Sequence, residues 1–150
     1  MADRYLILED GSVFPGTGFG APAVTFGEMV FTTVMTGYQE VITNQVYHNQ
    51  IVVFTTPDIG NYGIDRNIYE SIVPTIKGVV VRNIANVSTN KQRRLTLDRY
   101  LNSMNIPGIA NVDTRALTHR LRDARKILKG SIVPVPDEHA FDQLQATVLT

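Results

Sequence analysis

Two hydrophobic periods share this chain. Short apolar runs of strand length, bounded by Gly, Pro and polar clusters, fill the first half, and in the second half they alternate with segments of helical period. Tyr5-Leu6-Ile7-Leu8 predicts a strand, Asp10-Gly11 a hairpin turn, and Ser12-Val13-Phe14 the return strand. Gly16-Thr17-Gly18-Phe19-Gly20-Ala21-Pro22 reads as a flexible loop between strands. Strands follow over Gly27 to Thr33, Ile51 to Phe54 and Gly78 to Val81. The last two are continuous apolar runs, the pattern of a strand covered on both faces.

Helical period then enters. Thr96 is placed to cap a helix running through Met104, with Leu97, Tyr100, Leu101 and Met104 on one face and Asn105-Ile106-Pro107-Gly108 as its end. Ile109 to Val112 predicts a short strand. Asp113 caps the next helix, whose inner face carries Leu117, Leu121 and Ala124 and which Gly130 is expected to stop. Ser131 to Val135 is the last strand, with Pro134 marking its edge or end. Asp137 caps a final helix with Phe141, Leu144 and Val148 inward. This order predicts an α/β domain with parallel strands plus an added antiparallel layer.

Two polar stretches stand out against that pattern. One runs from Phe31 through Thr36-Gly37-Tyr38-Gln39-Glu40 to Tyr47, pivoting at Thr36-Gly37, with a short helical turn expected over Gln39 to Thr43. The other is Pro57-Asp58-Ile59-Gly60-Asn61-Tyr62-Gly63, a run of turn formers. Both follow strands, where ligand-facing loops of α/β sheets lie. They are the two best candidates for function.

Composition narrows the chemistry. The chain has 150 residues, 43% hydrophobic and 19% charged, which fits one soluble globular domain over 1–150. No apolar run has the length of a membrane span, and Met1-Ala2-Asp3-Arg4 lacks the pattern of a signal peptide. A cytoplasmic location is expected. Cysteine is absent, which removes disulfides, thiolate metal ligands and a cysteine nucleophile. The net charge is zero but divided: residues 1–76 hold eight acids and two bases (net −6), residues 77–150 twelve bases and six acids (net +6). Either the two parts face each other or solvent, or the basic part meets an acidic partner.

No reactive constellation is visible. His48, His119 and His139 stand far apart, so no metal site is expected. There is no Gly-x-Ser-x-Gly elbow. The glycine run after Phe14 is followed by a proline and another strand rather than a helix, which argues against a phosphate loop. Glu28, Glu40, Asp58 and Asp65 are the available carboxylates for acid/base work. Arg93-Arg94 and the helix carrying Arg115, Arg120, Arg122, Arg125, Lys126 and Lys129 could grip phosphates, but no stacking aromatics accompany them, so no nucleic-acid partner is expected.

Four separated motifs, in order, carry a resemblance. They are Leu8-Glu9-Asp10-Gly11; Phe31-x-Thr33-x-Met35-Thr36-Gly37-Tyr38-Gln39-Glu40 with Thr43 and Tyr47; Pro57-x-Ile59-Gly60-Asn61-Tyr62-Gly63; and Ile109 through Asp113-Thr114-Arg115-x-Leu117-Thr118. Over about residues 4–135 the chain resembles the N-terminal domain of the small, glutamine amidotransferase, chain of carbamoyl phosphate synthetase. The resemblance implies a three-layer β/β/α swivelling domain with one parallel and one antiparallel sheet. It also implies that the catalytic amidotransferase domain, which carries the cysteine nucleophile, is absent here and that this domain alone is inactive toward glutamine.

In that family, ammonia from glutamine passes to a large chain that makes carbamoyl phosphate from bicarbonate and two ATP, for arginine and pyrimidine synthesis. The resemblance therefore implies no cofactor on this chain, ATP and Mg on the large subunit, and as partners the large subunit and the chain's own amidotransferase domain. Val46 and Tyr47 would border the glutamine pocket. The family's serine in an Asp-Pro-Ser-Tyr run is replaced in Asn44-Gln45-Val46-Tyr47, so at Val46 only main-chain groups remain for that contact. Thr36, Gly37, Tyr38, Gln39, Glu40, Gly60, Asn61, Tyr62, Gly63, Asp113, Thr114 and Arg115 are the expected interface or structural positions. The chain also departs from the family at Thr89-Asn90-Lys91-Gln92 and around Arg125-Lys126-Ile127. Two other readings stand beside this one: an independent small-molecule enzyme using Glu40 and Asp58, and a phosphate-binding domain using the basic helix.

Overall fold

A computed structural model of the chain describes residues 3–32, 47–55, 64–65, 75–82, 94–95 and 97–147. Thr36 to Glu40, Val46, Asp58, Gly60 to Gly63, Thr96 and Val148 lie outside the described residues, as does the turn expected over Gln39 to Thr43.

Nine strands and three helices are described, in the order β1 (Arg4–Leu8), β2 (Val13–Gly20), β3 (Thr25–Thr32), β4 (Gln50–Phe54), β5 (Ile64–Asp65), β6 (Gly78–Val80), β7 (Arg94–Leu95), α1 (Leu97–Ser103), β8 (Pro107–Ala110), α2 (Thr114–Asp123), β9 (Lys129–Val133) and α3 (Glu138–Ala146). Seven strands close into a barrel in the order β1-β2-β8-β6-β4-β3-β9, while β5 and β7 form a separate antiparallel pair. β3, β4, β6 and β8 run parallel to one another. β9, β1 and β2 complete the ring through antiparallel pairings. The α/β class and the mixed strand directions match the expectation from sequence. The parallel and antiparallel sets are two arcs of one ring, sharing β3 and β8.

Alternation along the strands builds the core. Leu6, Leu8, Met29, Ile51, Val53, Val80, Ile109 and Ile132, from six barrel strands, share one buried cluster that Leu117 of α2 joins. The intervening residues Val52, Phe54, Val79, Val81 and Ala110 point the other way, into a cluster with Leu101 of α1. Ile7 and Val133 meet Ala140 and Leu144 of α3 in a third. The apolar run in β4 is thus buried on both faces: one side faces the barrel interior and the other lies under α1.

Three expectations are corrected. The glycine run is not a loop, because β2 continues through it to Gly20. Its small residues let the strand lie close to its neighbours: a Cβ on Gly16 would stand 2.5 Å from the Ala110 carbonyl oxygen. Gly130 does not stop a helix. α2 ends at Asp123, with Ala124 in extended backbone, and Gly130 sits inside β9 where a Cβ would strike Met29. Arg125, Lys126 and Lys129 therefore lie beyond the helix. β8 begins at Pro107 rather than Ile109, since Asn105 adopts φ 60° and ends the α1 turn early.

Candidate functional site: a basic cleft at the carboxyl edge of the parallel strands

Parallel strands end together. Val53 of β4 is level with Phe31 of β3 and with Val80 of β6, which is level with Ile109 of β8. All four carboxyl ends therefore open at one edge of the barrel. The chain enters both polar stretches from this edge, the first after Thr32 and the second after Thr55. The Asp113-Thr114-Arg115 motif follows β8 there directly.

Local hydrogen bonds fix the edge. Thr55 donates to the Thr32 carbonyl twice, from its N–H at 3.1 Å and from its hydroxyl at 2.9 Å, tying the end of β4 to that of β3. Asn111, at φ 62°, turns the chain out of β8, and its N–H donates to the Arg82 carbonyl at 3.0 Å. Its side-chain Nδ2 donates to Thr17 Oγ1 at 3.1 Å. Asp113 then caps α2, its Oδ1 accepting from the Ala116 N–H at 3.1 Å. The Thr118 hydroxyl donates to the Thr114 carbonyl at 2.7 Å.

A cleft of about 200 Å³ opens against this edge. Arg82, Arg115, His119 and Arg122 bring cations or potential cations to it, and Thr55, Thr114 and Thr118 bring hydroxyl-bearing side chains. Arg115, His119 and Arg122 follow one another at i, i+4 and i+7, so a single stripe of α2 supplies them. Arg122 lies over the Phe31 ring, its Cζ 5.3 Å from the centroid, a cation–π distance. The opposite side of α2 differs. There Arg120 Nε lies 3.7 Å from Asp10 Oδ2, and past the helix Lys126 Nζ lies 3.7 Å from Glu9 Oε2.

The predicted site residues divide accordingly. Of the Asp113-Thr114-Arg115 motif, Asp113 holds the helix start, Thr114 is buried at 5% exposure, and Arg115 is exposed on the cleft. Tyr47 is partly buried and packs against the cluster beneath α1. The basic helix is legible in the sequence, but that Arg82 and Thr55 join it, and which of its cations share a cleft, is not. The i, i+4, i+7 spacing was the available signal; the contribution of Arg82 had none. Among the described residues, no group of three His, Asp or Glu side chains could hold a metal ion, and no helix is long and apolar enough to cross a membrane.

Comparison with known proteins places this architecture. Residues 6–132 match the family model described as carbamoyl-phosphate synthase small chain, CPSase domain. The chain is 53% identical over 151 residues to the carbamoyl phosphate synthase small chain of Streptococcus mutans serotype c, covering 99% of this chain and 41% of that protein. It is 52% identical to the small chain of Streptococcus pneumoniae serotype 4, covering 99% and 42%. It is 50% identical to the pyrimidine-specific small chain of Lactiplantibacillus plantarum, covering 97% and 40%. The chain thus spans about two fifths of the length of these curated relatives. Among solved structures, an aminopeptidase from Aneurinibacillus sp. strain AM-1 aligns over 87% of this chain and 30% of its own at 14% identity and a TM-score of 0.46, too distant to bear on function. With a family match running from β1 into β9 and half the positions shared with these small chains, the protein belongs to the carbamoyl-phosphate synthase small chain family, in its CPSase domain.

Proposed function

We propose that this chain is the non-catalytic N-terminal domain of the small subunit of a glutamine-dependent carbamoyl phosphate synthetase, where it supports the glutaminase domain and docks on the large subunit. The carrying observation is the family match over residues 6–132 in a sequence without cysteine. A thiolate is the attacking group in the family's glutamine cleavage, so this stretch acts through contact rather than covalent chemistry. On this reading ATP and Mg belong to the large subunit, and the activity serves arginine or pyrimidine synthesis in the cytoplasm.

The same reading assigns Thr36 to Glu40 and Gly60 to Gly63 to the subunit interface or its support, and Val46 and Tyr47 to the border of the glutamine pocket. The common edge from which both polar stretches depart supports it, because segments that leave a rigid sheet at one edge are where contact residues concentrate. It also takes the ring as this chain's version of the family's swivelling domain, the two arcs serving as its two β layers. Co-purification with the cognate large chain tests the docking role, with the complete small chain as positive control. Recovery of the complex by the complete chain and not by residues 1–150 would refute docking by the isolated domain. Ammonia release from glutamine by residues 1–150 would refute its non-catalytic character.

A further inference from the structure

We propose that the cleft at the carboxyl edge of the parallel strands receives a carboxylate side chain from an acidic segment on the surface of a partner protein. This deepens the docking reading above and rests on it. The central observation is an imbalance between the two sides of α2. On one side the cations are answered within the fold, Arg120 by Asp10 and the following Lys126 by Glu9. On the other, Arg115 and Arg122 with Arg82 from the end of β6 converge on the cleft, and none of the three forms an ion pair among the described residues. Like charges brought together on one surface repel, so an opposite charge arriving there is favoured.

Geometry narrows the occupant. Guanidinium groups present paired donors that match the two oxygens of a carboxylate. Arg122 is restrained by its place over Phe31, so it loses less side-chain freedom on binding. Thr114, 5% exposed, lines the same cleft, and its hydroxyl makes no hydrogen bond among the described residues. The N-terminus of α2 is not itself the site, since Asp113 already caps it. About 200 Å³ admits a carboxylate side chain. Exposed arginines in water gain only about 1 kcal/mol from a free anion at contact distance. A protein surface that covers them excludes water and strengthens each pair, which favours a docked segment over a small solute.

The test uses the full small chain and the large chain. Dissociation constants are measured for wild type, the double variant Arg115→Gln/Arg122→Gln and the control Arg120→Gln, at about 50 mM and about 300 mM salt. Circular dichroism melting establishes that each variant is folded. The proposal expects the double variant to bind at least about tenfold more weakly at low salt, with the deficit shrinking at high salt. The control should stay within about twofold of wild type. Equal affinity of wild type and double variant would overturn it. So would millimolar inorganic phosphate raising the melting temperature of wild type alone while the affinities stay equal, which would mark a small-anion site. Failure of the wild-type chains to associate at all would instead remove the docking reading itself.

Discussion

Thr55 hangs both of its donors on a single acceptor, the carbonyl oxygen of Thr32. The residue that ends one parallel strand is thereby tied to the end of its neighbour, at the point where the two polar family motifs leave the barrel. Thr55→Val keeps the branched shape and removes the hydroxyl. The Thr32 carbonyl would keep the main-chain bond, so the expected loss is at the low end for a hydrogen bond, about 0.5–1 kcal/mol. Urea denaturation should show it, with Thr55→Ser close to wild type. A Thr55→Val chain as stable as wild type would mean that the hydroxyl adds nothing to the tie.

Asp113 gives a second test. Its carboxylate accepts from the Ala116 N–H, and the side chain is exposed, so little burial confuses the reading. Asp113→Ala should lose about 1 kcal/mol through the uncapped first turn, and Asp113→Asn much less, because an amide oxygen still accepts. Equal losses for the two would indicate that charge rather than capping matters here.

The glycine run in β2 predicts a contrast between two positions of the same strand. At Gly16 a new Cβ would meet the backbone oxygen of Ala110 at 2.5 Å and the Ile109 side chain beside it, and main chain in a ring cannot step aside. Gly16→Ala should therefore cost about 1–3 kcal/mol as overpacking. At Gly18 the obstacle is the side chain of Arg4, which can swing away. Gly18→Ala should fall within about 1 kcal/mol of wild type, helped by a less flexible unfolded chain. Thermal melting of the two variants side by side decides it, and a reversed order would contradict the packing described.

Charge on the far side of α2 should matter little to folding. Arg120 is 57% exposed where it meets Asp10, and pairs of that kind contribute weakly in water. Arg120→Gln should shift stability by less than about 0.5 kcal/mol at moderate salt. A larger loss would show that the pair fastens the β1–β2 hairpin to α2 more firmly than its exposure implies.

Much of this was readable along the chain. The hairpin at Asp10-Gly11, the doubly covered run in β4, and the caps at Asp113 and Asp137 depend on neighbours within a few residues, and all appear where the sequence puts them. So do the inward positions Leu117 of α2 and Leu144 of α3, both fully buried. Apart from the early start of β8, the exceptions are glycines. Gly16, Gly18 and Gly130 carry the local sign of a break, yet each lies inside a strand; at Gly16 and Gly130 the need for a small residue comes from a distant segment crossing close by.

Ring closure belongs to the tertiary structure alone. Leu6 pairs with Ile132 and Thr17 with Ala110, contacts between stretches that no local period relates. The same holds for the cleft. Sequence supplied a helix rich in arginine, and its spacing already aligned Arg115 with Arg122. Only the parallel stacking of β4 and β6 beside that helix brought Thr55 and Arg82 to join them. Periodicity and capping act over one or two turns of chain and are written in it directly; which distant strands share a register is decided by the packing of the whole barrel at once.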